Sequence, residues 1–289
     1  MDIRWYPGHM AKGYEELDEL VRKADLVLEV LDARLPCSSS NQRFEMILRN
    51  RRCIKILNKK DLADPMATKA WVRFFEREPN IRAIPLSARL HSDAKQLLRL
   101  CRALVPNRGK PGYPIRITVA GVPNCGKSTL INTLSGRSLA KVADKPAITT
   151  SQQRIDLKNG IVITDTPGLL LPEMCDQEAA YRLAASGAIA AGAFDSATVA
   201  LFALEYLVKR YPHLLEARYA SDPLSTTPAG FLLAVGKRLG CISGGGEVDL
   251  YRSAEAFLRE LRSGKLGRIT LEAPEDIRAE MISNREEEE

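Results

Sequence analysis

The sequence predicts an α/β fold, a mostly parallel sheet with flanking helices, followed by an all-helical domain, and three observations carry that reading. A strand-like run over residues 115–120 passes into Gly121-Val122-Pro123-Asn124-Cys125-Gly126-Lys127-Ser128-Thr129 and then into the apolar stretch 130–134, which is strand, glycine-rich turn and helix. Short, nearly continuous apolar runs that end in polar residues stand on both sides of it in the chain, as strands buried on both faces do. From about residue 175 onward the apolar residues recur at helical spacing instead. The division expected is a nucleotide-binding domain over 1–174 and a helical domain over 175–289.

Residues 11–22 open the chain as an amphipathic lead-in helix, with Leu17, Leu20 and Val21 on one stripe. The segment 24–34 reads as a buried parallel strand and 36–42 as the loop after it. A second strand, 53–57, runs into Asn58-Lys59-Lys60-Asp61, and a third, 81–86, ends in Ser87-Ala88. A helix over 93–104 and a Pro/Gly-rich linker over 106–114 lead to the strand before the glycine-rich turn. Beyond the turn helix, a polar connection over 145–150 precedes paired strands at 154–157 and 161–164, which end in Asp165-Thr166-Pro167-Gly168. The last segment shows an alanine-rich helix within 179–193 and further helices over 199–211, 228–239 and 250–261. In the last of these Ala254, Phe257, Leu258 and Leu261 form the inner stripe. Arg252, Arg259 and Arg262 gather elsewhere, followed by Lys265 and Arg268; a solvated basic face is the first reading and an RNA contact the second. The tail 284–289 is expected to be disordered.

The glycine-rich turn has the form GxxxxGK[ST], which arises by chance in such a chain on the order of one time in a hundred, and the flanking strand and helix lower those odds further. Gly121 and Gly126 permit positive φ, so that the backbone amides through Cys125, Gly126 and Thr129 converge on phosphate oxygens at a helix N-terminus. Lys127 reaches the β- and γ-phosphates and Ser128 ligates Mg²⁺. In the NKxD turn, the Asp61 carboxylate accepts from the two guanine donors that adenine lacks. Asn58 ties this turn to the phosphate loop, the Lys59 stem covers the base with Lys60 beside it, and the Ala88 amide after Ser87 meets guanine O6. Alone, NKKDL is as readily an ordinary charged loop; beside the other two motifs it is not. Asp165 holds Mg²⁺ through water, the Gly168 amide senses the γ-phosphate, and a threonine of the pair Thr149 and Thr150 completes the Mg²⁺ shell. These are the parts of a Ras-like P-loop GTPase with the base-recognition turns ahead of the phosphate loop, hence circularly permuted. GTP or GDP is the ligand expected.

The formal charge of +6 over 289 residues suits a polyanionic partner without requiring one. Six scattered cysteines without a CxxC pair fit reduced thiols and exclude a disulfide scaffold or a cysteine metal cluster. The first ten residues show no secretory or mitochondrial leader, and no run has the length of a membrane span, so a cytoplasmic monomer with no membrane partner is expected.

The chain resembles the circularly permuted GTPase family that includes bacterial ribosome biogenesis GTPase A (YlqF-like) and its mitochondrial relatives. The likeness lies in WYPGHMAKG at 5–13, LDARLPCSSSN at 31–41, NKKDL, the SA turn, GVPNCGKSTLIN, the TT switch, DTPGLL, GGGEVD at 244–249 and SGKLGRITLE at 263–272. It implies a GTPase that assists assembly of the large ribosomal subunit, leaves after hydrolysis, and contacts ribosomal RNA through its helical domain. Thr149 is then the switch ligand, although Ala147 replaces the usual glycine before it and Thr150 stays an alternative. Leu169 stands where many GTPases carry the water-orienting glutamine. Two residues are candidates to replace it: Asn124, where related GTPases coordinate K⁺, and His9 of the PGHM segment, which on residues alone is first a turn residue and which the resemblance brings to the γ-phosphate or water. Two other readings are an RNA-binding scaffold that uses GTP occupancy with little hydrolysis, which Leu169 favours, and a GTPase of tRNA modification.

Overall fold

The computed structural model describes residues 10–40, 46–48, 51–137, 153–168 and 177–276, with side chains of the first helix from residue 15 onward. His9, Thr149, Thr150, Leu169 and the tail 284–289 lie outside them.

One sheet organises the nucleotide-binding unit. Its strands are β1 (Leu26–Asp32), β2 (Cys53–Asn58), β3 (Ile81–Pro85), β4 (Ile115–Ala120), β5 (Gln153–Asp156) and β6 (Ile161–Asp165), in the order β3-β2-β1-β4-β6-β5. All neighbours are parallel except β5, which runs antiparallel to β6. The mostly parallel sheet expected from the sequence is present. β1 and β2 are buried throughout, as their continuous apolar composition requires. The chain moves outward from β1 through β2 to β3, and outward on the other side from β4 to β6. The reversal lies between β1 and β4, and in such sheets ligands bind at the carboxyl ends beside that point. Asp32, Asn58, the glycine-rich turn and Asp165 all sit at strand ends on this edge.

Helices α1 (Met10–Lys23), α2 (Pro65–Phe75), α3 (His91–Leu104) and α4 (Lys127–Ser135) accompany the strands. The sequence reading passed over α2, whose signals are local: Asp64 accepts from the amides of Met66 and Ala67, and Pro65 opens the first turn. Its Trp71 and Phe75, one turn apart, enter a core with Leu31, Ala33, Leu57 and Ala63. The indole N–H of Trp71 donates to the carbonyl of Glu272 at 3.2 Å. The Glu272 carboxylate in turn accepts from the amides of Cys37 and Ser38 and from the Ser38 hydroxyl. Within the sheet, Glu29 of β1 faces Lys55 of β2 in register, and the two form a buried ion pair of 2.9 Å that Ser40 joins.

The chain divides into two compact units, one holding Met174–Leu271 and the other holding the sheet together with the segment from Glu272 onward. The first contains α5 (Gln177–Ser186), α6 (Ser196–Arg210), α7 (Pro212–Tyr219), α8 (Pro228–Leu239) and α9 (Leu250–Ser263). α7 is a second helix the sequence reading passed over. In α9 the expected stripe of Ala254, Phe257, Leu258 and Leu261 is buried, and the helix packs on α6 and α8. The basic face is only partly a face. Arg262 donates to the carbonyls of Ala184 and Ala185 at 2.9 and 3.0 Å, and Arg252 donates to the carbonyl of Ile242 at 3.1 Å, while Arg259, Lys265 and Arg268 remain exposed. Arg262 thereby satisfies carbonyls at the end of α5, where a cation is favoured. Glu260 accepts from Arg218 and from the Tyr219 hydroxyl, and burial together with that carboxylate pushes the Tyr219 phenol up. No helix among the described residues is long and apolar enough to cross a membrane.

Candidate functional site

Asn58, at the end of β2, joins the three loops that the sequence singled out. Its side-chain amide donates to the carbonyl of Cys125 in the glycine-rich turn at 2.7 Å, and its Oδ1 accepts from the Ala88 amide at 2.8 Å. Thr133 of α4 closes the triangle by donating to the carbonyl of Ala88 at 2.6 Å. The turn must come this near: a Cβ at Gly126, which has φ +101°, would overlap the Asn58 amide. The expected link from Asn58 to the phosphate loop is therefore present. The Ala88 amide, expected to meet guanine O6, donates to Oδ1 of Asn58, the side chain that ties the turns together.

Lys59 takes φ +63° and sends its ammonium to Asp32 Oδ2 at 2.8 Å and to the Asn124 carbonyl at 2.7 Å. Lys60, grouped with the base-recognition residues by its place in the turn, points elsewhere. It pairs with Asp93 at 2.7 Å, and the same carboxylate accepts from the Ser87 amide at 2.7 Å. Lys60 and Ser87 thus hold the two turns onto the start of α3, and Asp61 is exposed at the carboxyl edge.

At the phosphate end the Lys127 ammonium is buried and donates to the carbonyls of Gly121 and Val122 at 2.9 and 3.0 Å. Those bonds curl the turn around the side chain. Gly126 caps α4, so the helix N-terminus opens into the turn. Cys125 lies buried beneath it, and burial pushes its thiol up, which makes it a packing residue. Gly168 lies against Pro123, where a Cβ would meet backbone at 2.9 Å, and Thr166 donates to the carbonyl of Val119 at 2.8 Å. The DxxG segment is thus held against the phosphate loop by main-chain proximity.

Asp165 differs from every other carboxylate of the site. It is 1% exposed, and neither carboxylate oxygen has a hydrogen-bond partner among the described residues. Burial raises its pKa, with Lys127 opposing. An orphaned buried carboxylate beside a phosphate loop fits a divalent cation or its water shell, which would supply the missing donors and charge.

A protein-family profile described as 50S ribosome-binding GTPase matches residues 116–218. Ribosome biogenesis GTPase A of Bacillus cereus is 38% identical over 284 residues, covering 96% of each chain. The chain belongs to the ribosome biogenesis GTPase A family. The member from Thermotoga maritima is 29% identical over 285 residues, 95% of this chain and 96% of its own. Among solved structures, a GDP-bound YlqF superposes with a TM-score of 0.68 at 28% identity, covering 90% of this chain and 99% of its own. The GNP-bound YlqF from T. maritima gives 0.65 at 28% identity, covering 91% and 99%.

For this member of the ribosome biogenesis GTPase A family, the structure brings together Asn58, Lys59, Ala88, Asn124, Cys125, Gly126, Lys127, Asp165 and Gly168 at one sheet edge. It also adds residues to which the sequence reading gave no role. Asp32 and Arg34 stand behind Lys59, and Asp93 stands behind Lys60 and Ser87. Their signal was an acidic residue at a strand end and another in the first turn of a helix, features too common to single out without the fold.

Proposed function

We propose that the chain binds and hydrolyses GTP as an assembly factor for the large ribosomal subunit, joining the immature particle in the GTP form and leaving after hydrolysis. The observation that supports it most is the three-loop junction at Asn58, since it joins a base-reading turn to a phosphate-holding turn within a chain of this family. Asp61 reads the guanine donors, Lys59 covers the base, Lys127 neutralises the β- and γ-phosphates, and the Gly168 amide senses the γ-phosphate. Ser128, Asp165 and Thr149 would hold Mg²⁺, which when bound neutralises charge on the phosphate oxygens. Hydrolysis depends on the particle: Leu169 orients no water, so His9 acts on the water or γ-phosphate once the particle is docked through the helical unit, and K⁺ beside the Asn124 side chain adds charge. The Asn124 carbonyl accepts from Lys59, which holds this residue of the glycine-rich turn beside the NKKD turn.

Cosedimentation with large subunits and their precursors, in GDP and in a non-hydrolysable GTP analogue, tests the partner. Binding favoured by the analogue is expected, and equal binding in both nucleotides overturns the cycle. Turnover with and without particles, in K⁺ and in Na⁺, tests the rest. The expected pattern is stimulation by particles, preference for K⁺, and loss of stimulation in His9→Ala with GTP affinity retained. Absence of particle stimulation would favour the scaffold reading that Leu169 suggests.

A further inference from the structure

Lys59 is the residue whose stem covers the base in the reading above, yet a lysine carries about 2 kcal/mol of rotamer entropy that must be lost before it covers anything. The structure has already removed that freedom. The Lys59 ammonium lies between Asp32 Oδ2 at 2.8 Å and the Asn124 carbonyl at 2.7 Å. Asp32 is itself immobilised. Arg34 grips it with Nε to Oδ1 at 2.9 Å, Nη2 to Oδ2 at 2.7 Å and the Arg34 amide to Oδ1 at 3.1 Å. The Asp32 amide donates to the Ser39 hydroxyl at 3.0 Å, and that hydroxyl donates to the Leu35 carbonyl at 2.6 Å, so the turn after β1 is closed on itself.

Neutralising a buried aspartate needs one cation, and Arg34 with its fork supplies it. The second cation, Lys59, is what connects the pair to the nucleotide site. Asp32 and Arg34 are 4% and 5% exposed in their side chains, whereas Lys59 is 24% exposed. A rigid, buried pair thus holds a partly exposed lysine at the edge where the base is read. Burial opposes the charge on Asp32, but Arg34 and Lys59 outweigh it and hold the carboxyl well below the usual range, so the contact persists at any physiological pH.

We propose that Asp32, braced by Arg34, is a positioning residue for guanine-nucleotide binding: it pins the Lys59 ammonium at the Asn124 carbonyl and so fixes the stem that covers the base. This rests on the guanine-nucleotide reading of the site and assigns a role to two residues within segment 31–41. The contribution is preorganisation, since a side chain ordered before binding costs nothing to order during it.

The test is a double-mutant cycle on the full chain, read by titration with GDP and with GTP. Asp32→Asn keeps the shape and removes the charge; Lys59→Met keeps the stem and removes the ammonium. Each should weaken GDP and GTP alike, by about tenfold, because the effect lies at the base and not at the γ-phosphate. The double variant should be no weaker than the weaker single one, since both changes break the same contact. A purely structural role for Asp32 would give additive losses, and additivity overturns the proposal, as does a loss confined to GTP or an unchanged affinity in Asp32→Asn. If Asp32→Asn does not fold, Arg34→Lys keeps the charge and loses the fork. It should weaken GDP and GTP equally while the thermal midpoint holds, and unchanged affinity in that variant is again fatal. A wild-type chain that binds no guanine nucleotide would sink the functional reading itself; a wild-type chain that binds, with variants that bind as well, sinks this inference alone.

Discussion

The two ends of the nucleotide site treat buried charge in opposite ways. At the base end, Asp32 is met by Arg34 and Lys59, Asp93 by Lys60, and the Asn58 amide is bonded at both its nitrogen and its oxygen. At the phosphate end, Asp165 is buried with no hydrogen-bond partner among the described residues, and the Lys127 ammonium donates to two backbone carbonyls. The base end is assembled by the protein alone. On the proposed reading, phosphates and a cation complete the other end, so it should respond to their presence and the base end should not.

The largest effect expected lies at the open end. Lys127→Ala removes the buried cation that the proposal assigns to the β- and γ-phosphates and should weaken GTP by about 3 kcal/mol, on the order of a hundredfold. Equal affinity in wild type and variant, by titration with a fluorescent GTP analogue, would show that the phosphate end is not where the phosphates bind. Next is Asp61→Asn at the closed end, expected to cost GTP about 2 kcal/mol and to improve binding of xanthosine triphosphate, whose 2-oxo group accepts from the new amide. Wild-type protein that binds ATP as well as GTP would contradict this.

The smallest effect sharpens the contrast through pH. The Asp165 pKa is raised above 3.8, so the folded state keeps its proton longer than the unfolded state does. Stability then falls as pH rises from about 3.8 through that higher value, and the ionised carboxylate is a standing cost at neutrality. Asp165→Asn should therefore raise the thermal midpoint of the nucleotide-free protein at neutral pH by about 2–4 °C, lose that advantage in acid, and stop Mg²⁺ from strengthening GTP binding. Asp32 has the opposite sign. Its pKa is depressed, so its contribution is present above about 3.8 and lost only as pH falls through its own lower value. A midpoint that drops in Asp165→Asn at neutral pH would mean that the carboxylate is already paired.

The strands and their loops were legible because each signal was contiguous. Residues 115–134 spell strand, turn and helix in one line, and NKKDL and DTPG each sit at the end of an apolar run. What was not legible was pairing across strands. Glu29 and Lys55 look like blemishes in two buried strands until the β1–β2 register sets them opposite each other. Asp32 and Lys59 are 27 positions apart, and nothing local ties an aspartate after one strand to a lysine after the next. The helix α2 was missed for another reason. Its cap, its leading proline and its Trp71–Phe75 spacing are all local, but only three buried residues mark its inner face, a short stripe beside the contiguous NKKDL signal. Arg262 shows the limit of face-counting: helical spacing placed it among exposed arginines, and only the approach of α5 revealed that its guanidinium binds carbonyls.

Glu272 has a consequence for how the chain is put together. It follows Leu271, the last residue of the helical unit, yet it is grouped with the sheet, as are the described residues from Met10 to Gly168. The helical unit is therefore an insertion and not an appendage, joined to its host by two covalent tethers. A single cut at either junction leaves it attached through the other, which is a different fate from that of a terminal domain released by one nick. The downstream tether is also anchored: ending the chain after Leu271 would leave the amides of Cys37 and Ser38 and the Trp71 indole without the acceptors that Glu272 supplies. Trimming what looks like a dispensable C-terminal tail would thus unfasten the turn after β1, at the far end of the chain from the cut.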